Sequence, residues 1–208
     1  MSFIAIDFEA SCLPRFGRSF PIEVGIAAPD GWSRSWLIRP HAQWRDWQWS
    51  DDAQALHGLT PDRLQREGLD AASVAAQLRE AVAGGLLVAD SVLDDYWSRT
   101  LFDAAGEADH LAVTSLAALP RFHAVDPERL QAAVASADRH RLNRHRAADD
   151  ARWLAGLIAD LDIIEPADAS ASKPPMQAAA RRPADVPLQP AREHRLFRFD
   201  QDRPLTAG

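Results

Sequence analysis

The chain has 208 residues, 47% of them hydrophobic and 25% charged, with a formal net charge of −7, proportions that fit one soluble globular domain and an additional segment. The acidic balance counts against a protein that rides on long duplex DNA, which carries a basic footprint, but not against a site that holds only a strand end. A single cysteine, Cys12, excludes an intramolecular disulfide or a cysteine-rich zinc site, and no run reaches the roughly 18–20 apolar residues that span a bilayer.

Residues 2–8 form a short apolar run suited to a buried strand. The flank before it has no signal-peptide character, so the expected setting is a reducing cytoplasm, away from any membrane. A second run, 21–28, ends at Pro29-Asp30-Gly31, a hairpin signal, and its partner is 32–39. Next comes a tryptophan-rich connection with Trp44, Trp47 and Trp49. Thr60-Pro61 reads as a capped helix start. Asp70 opens another helix, which Gly84-Gly85 stops, and Leu86-Leu87-Val88-Ala89 is a fourth strand. A helix with Asp95 near its start should follow, then a fifth strand at 111–116. Asp126-Pro127 begins a further helix, and the apolar spacing from Ala147 to Leu161 makes the last one. Residues 1–164 thus form the expected domain. Residues 165–208, rich in Pro, Ala, Arg and Asp, read as a flexible tail.

Three groups of residues carry chemistry. Asp7 and Glu9 alternate at strand spacing, so both point to one face. Two carboxylates there are costly unless a cation or hydrogen bonds compensate; the other reading is a solvated strand end. Asp95 follows the fourth strand, where open α/β sheets place ligands, or is simply a helix cap. His145 and Asp150 are spaced so that both converge on the start of the last helix, although a single histidine is often structural.

In chain order these residues read D-x-E, then D, then H-x4-D. The arrangement resembles the DnaQ-like 3′→5′ exonucleases, the His subclass of the DEDD superfamily, over residues 2–162. Asp7-Phe8-Glu9-Ala10-Ser11 resembles the first motif, and His145 to Asp150 the third. Asp90 to Asp95 resembles the second, usually H-N-x-x-F-D; its six-residue spacing puts the family acid at Asp95 rather than Asp94. Leu56-His57-Gly58-Leu59-Thr60 is similar to an I-H-G-I-T signature, and Pro21-Ile22-Glu23-Val24-Gly25 to the I-E-x-G pattern of the second strand.

The resemblance implies a ribonuclease H-like α/β fold: a mixed five-stranded sheet, its first three strands antiparallel, flanked by helices. It also implies two Mg2+ or Mn2+ ions, in such sites about 3.5–4 Å apart, held by Asp7, Glu9, Asp95 and Asp150. His145 would be the general base, and nucleoside 5′-monophosphates would leave the 3′ ends of single-stranded DNA or RNA. Ala10, Ser11, His57 and Arg144 are the expected substrate contacts. Arg139, Arg141, Arg144 and Arg146 suggest a phosphate-contacting edge or a solvated helix end. The tryptophans suit either base stacking or capping of the core. The aromatic-basic stretch at 195–199 suits docking to a protein partner. A catalytically weak binding module and a phosphodiesterase for short oligonucleotides are the alternatives.

Overall fold

The computed structural model describes residues 3–140 and 143–164. Arg141 and the expected tail, including 195–199, lie outside the described residues. Five strands, β1 (Phe3–Ala10), β2 (Pro21–Ala27), β3 (Ser33–Leu37), β4 (Leu86–Ala89) and β5 (Val113–Ser115), form one sheet in the order β3-β2-β1-β4-β5. β1, β2 and β3 are antiparallel neighbours, whereas β4 runs parallel to β1 and β5 parallel to β4. Among the described residues the helices are α1 (Asp51–His57), α2 (Pro61–Glu67), α3 (Ala71–Val82), α4 (Leu93–Ala104), α5 (Pro127–Arg139) and α6 (Ala147–Leu161). This is the mixed, helix-flanked sheet expected from the sequence.

Local chemistry sets most of these boundaries. The β2–β3 turn closes with Ala28 N donating to Trp32 O at 2.8 Å, and Gly31 takes the left-handed backbone (φ 91°) that favours glycine. Thr60, Asp70 and Asp126 cap α2, α3 and α5 by accepting from backbone N–H groups of the first turn. The helix α1 was not expected. Ser50 caps it by accepting from Ala53 N, and left-handed Gly58 ends it.

The alternation along β1 divides the interior in two. Ile4, Ile6, Phe8 and Ala10 face a core shared with β2, α3 and α4, whereas Phe3 and Ala5 face Leu154, Leu157, Ile158 and Leu161 of α6. Each fully buried Leu or Ile contributes roughly 1.5–3 kcal/mol, so both faces are firmly anchored. Asp7 and Glu9 continue the Phe3–Ala5 face. They stand where the apolar contact with α6 gives way to that helix's first turn.

Candidate active site

α6 can approach β1 and β2 so closely because of Gly25, which pairs with Asp7 across the two strands. A Cβ on Gly25 would lie 2.2 Å from the carbonyl carbon of Ala147, the first residue of α6. A side chain here would push the helix start away from Asp7. Two residues further along β2, on the same face, Glu23 sits opposite Glu9. Glu23 is buried, and Arg146 grips its carboxylate with two hydrogen bonds of 2.9 and 3.0 Å, with Ala147 N donating a third at 3.3 Å. Gly25 and Glu23 together seat the N-terminus of α6.

His145 immediately precedes this clamp. Its φ of 60° is left-handed, a conformation that costs a non-glycine residue about 1–3 kcal/mol and persists where surroundings enforce it. Here the Arg146–Glu23 pair follows it, and His145 N donates to Asp150 Oδ2 at 3.0 Å. The outcome is a convergence from two elements. Glu9, His145 and Asp150 each offer one ligand atom, all within 4.8 Å of one another, in a group that could hold a metal ion.

Asp7 lies beside that group. Burial, and then the negative charges of Glu9, Asp150, Asp94 and Asp90, hold its carboxyl well above the usual carboxylate range. Asp94 is 2% exposed and accepts from Phe8 N at 3.0 Å, which ties the start of α4 to β1 between the two acids of the first motif. Carboxylates gathered from β1, α4, α6 and the loop after β4 therefore act on one point. Such oxygen-rich donors suit hard divalent cations.

The structure redistributes several residues expected in the site. Asp95 is turned away: its carboxylate accepts from Val113 N at 3.0 Å and Arg99 Nη2 at 3.0 Å, and meets His110 at 3.3 Å. Burial alone would raise its pKa, but these partners outweigh burial and lower it. Asp95 fastens α4 to β5, and Asp94 takes the place by Asp7. The cause is helical geometry: Asp94 shares the buried face of α4 with Trp97, Ser98 and Leu101, and the next residue is rotated by about 100°. Ser11 is corrected too. It is fully buried, and its hydroxyl accepts from Phe20 N at 3.1 Å, so it joins β1 to the start of β2 and offers no surface to a substrate. Arg146 is committed to Glu23 and does not extend a basic edge. Asp149 is held by Asn143 at 3.0 Å and by Arg152.

Ala10 and His57 do line a pocket beside the acids, with Glu9, Trp97 and His145 among its other walls. Arg144 is exposed next to His145. His57 Nδ1 accepts from Leu59 N at 3.0 Å, while its buried Nε2 has no hydrogen-bond partner within the protein. Burial, then the charges of His145 and Arg146, lower its pKa to about 4, so the ring is neutral near pH 7 with its proton on Nε2. Asp90 and Asp94 are the acids at the site that the sequence reading did not assign to it. The apolar spacing of α4 was the available signal for Asp94.

Comparison with protein-family models gave no match, and comparison with curated proteins gave none. Solved structures do match. Exonuclease I of E. coli in complex with a dT13 oligonucleotide superposes with a TM-score of 0.54 at 16% identity, covering 77% of this chain and 40% of that one. A 3′-exonuclease described in 3′-end specific recognition of histone mRNA stem-loop gives 0.58 at 17%, covering 77% and 63%. Exonuclease I from Methylocaldum szegediense gives 0.52 at 16%, covering 76% and 40%. The chain therefore shares the ribonuclease H-like fold of these solved exonucleases. It spans between 40% and 63% of the length of these three matches. No helix among the described residues is long and apolar enough to cross a membrane.

Proposed function

We propose that the chain is a metal-dependent 3′→5′ exonuclease acting on single-stranded or frayed nucleic acid. The observation that carries this reading is Asp7: an acid placed among four other carboxylates, at the edge of a Glu9–His145–Asp150 group able to bind a cation. A fold does not maintain such repulsion for its own stability, and a cation relieves it.

Asp7, Glu9, Asp94 and Asp150 are the residues that would hold two Mg2+ or Mn2+ ions. Bound divalent cations would neutralise these acids and draw charge from the scissile phosphate and the leaving oxygen. His145 takes the proton of the attacking water, a task suited to an imidazole, which can hold or release a proton at a ring nitrogen. Its backbone bond to Asp150 holds the turn that carries the ring. Water oxygen bonds to phosphorus, the bond to the upstream O3′ breaks, and that oxygen takes a proton from solvent and leaves as a hydroxyl, while His145 returns its proton to solvent. The products are a nucleoside 5′-monophosphate and a strand one residue shorter. His57, a neutral ring in the pocket wall, stands beside the position the terminal nucleotide would take.

The test is incubation of the purified chain with 5′-labelled single-stranded DNA and RNA in magnesium, manganese or EDTA. A metal-dependent ladder shortening from the 3′ end, lost in Asp7→Ala and His145→Ala, is the expected result. No ladder on either strand, or one that survives Asp7→Ala, would overturn the proposal. The net charge of −7 favours short substrates as a second reading, and cleavage confined to dinucleotides would select it.

A further inference from the structure

A second cavity, of about 460 Å3, opens beside the catalytic pocket between the tryptophan-rich connection and α2. Its size falls within the roughly 300–1,000 Å3 of ligand sites. Trp44, Trp47, Trp49, His41 and Pro61 supply aromatic and apolar walls, and Arg45 is the charged residue of the lining. No carboxylate lines it, although the chain carries 30 acidic residues.

The walls are built in advance. Trp44 is buried and stacks on Phe20 at 5.3 Å with the rings 11° from parallel. Trp47, half-buried, meets Trp44 at 6.3 Å and carries the Arg18 guanidinium over its ring at 4.2 Å. Trp49 stands next to the other pocket: it lines this cavity, and its ring makes an edge contact of 6.1 Å with His57, which lines the other. Trp49 Nε1 is fixed by Gln54 at 3.2 Å.

We infer that this cavity binds an unpaired nucleobase of the strand whose 3′ end lies in the catalytic pocket. The inference rests on the exonuclease reading for the identity of its ligand. Indole faces accept any base by stacking, and such contacts are sequence-tolerant. Arg45 in the lining, and Arg18 over the Trp47 ring, put positive charge where a polyanion's backbone would pass, in a chain whose net charge is −7. The Trp49–His57 contact puts the two pockets on either side of one pair of rings, close enough for one extended strand to reach both. Base pairing would cover the edges of the base but also stiffen it into a duplex, so the cavity selects unpaired ends.

The experiment is an abasic scan. A 5′-labelled single-stranded octanucleotide, and versions lacking one base at each successive position from the 3′ end, are titrated with the full chain in EDTA, with anisotropy as the readout. The same series is titrated with Trp47→Ala, and all the oligonucleotides are also incubated with magnesium. One upstream position at which loss of the base weakens binding by roughly 5- to 150-fold is expected, from the ~1–3 kcal/mol of a base stacked on an aromatic side chain. In Trp47→Ala that penalty should disappear. The wild-type scan stands without the variant, so a variant that fails to fold does not spare the proposal. A flat scan upstream of the terminal base overturns it, and if the strands are still shortened in magnesium the exonuclease reading survives. A position-specific penalty with no shortening keeps the base site and removes the exonuclease. No binding and no shortening removes both.

Discussion

Two carboxylates, one strand apart, meet opposite fates. Glu23 on β2 is 1% exposed, yet Arg146 and Ala147 N occupy both of its oxygens. Asp7 on β1 is surrounded by Glu9, Asp150, Asp94 and Asp90. The same fold that supplies Glu23 with a guanidinium supplies Asp7 with like charges. Full compensation marks an acid that builds the structure, and concentrated repulsion marks one kept for chemistry. Glu23 serves the site indirectly, by seating the helix whose first turn brings Asp150 beside Asp7.

The contrast is broken most severely by neutralising Asp7. Asp7→Asn should lower the rate of 3′-end hydrolysis by more than about 10³-fold, since loss of metal-centred charge stabilisation removes several kcal/mol; single-turnover assays read this. The neighbouring acids of α4 come next. Asp94→Asn should cost about 10²-fold or more in the same assay. Asp95→Asn should stay within roughly threefold in rate while its Tm falls by about 2–8 °C, from the loss of ~1–2 kcal/mol of charged hydrogen bonds. If the two variants exchanged phenotypes, the assignment of Asp94 would be wrong. Glu23→Ala acts on stability. It should cost about 3 kcal/mol, the low end for breaking a buried pair, because the Arg146 side chain is 34% exposed. Calorimetry should show a Tm lower by about 6–12 °C.

His57 sharpens the picture through pH. Its pKa of about 4 in the fold lies below the ordinary 6.5, so the unfolded chain binds the proton more readily between those values. Stability from this group is intact above pH 6.5 and is lost as pH falls toward 4, by up to about 3 kcal/mol. Denaturant melts across that window should show a shallower loss in His57→Gln than in the wild type. Equal slopes would mean that the ring is solvated.

The sequence was most informative where one element suffices. D-x-E on a strand and H-x4-D before a helix need only local periodicity, and β4 and α6 follow the expected bounds. Asp94 was legible in principle, because Trp97, Ser98 and Leu101 define its face of α4; spacing from Asp90 pointed instead to Asp95. With Asp94 as the acid, apolar Leu93 stands where the second motif usually has Phe. The seven-residue α1 is too short for a periodic signal, although Ser50 and Gly58 marked its ends. Burial of Ser11 and capture of Arg146 by Glu23, 123 residues away, depend on tertiary packing that no local pattern encodes.

The smallest expected effect separates the two acids most cleanly. Asp7 has a raised pKa in the fold, so its contribution favours folding at low pH and is lost as pH rises through that value. Once ionised and without metal, Asp7 weighs against the native state, and the neutral amide of Asp7→Asn relieves it. In EDTA at neutral pH this variant should melt a few degrees above the wild type, the scale of ~1 kcal/mol in a domain of this size. The difference should shrink in acid, where the wild-type carboxyl is protonated. Adding magnesium or manganese should reverse the order, because bound cation stabilises the wild type by mass action and the variant much less. Glu23→Gln should never gain stability, with metal or without, since its partner is a guanidinium already in place. If Asp7→Asn melts no higher than the wild type in EDTA, the repulsion around Asp7 is compensated after all, and the distinction between these acids is not electrostatic.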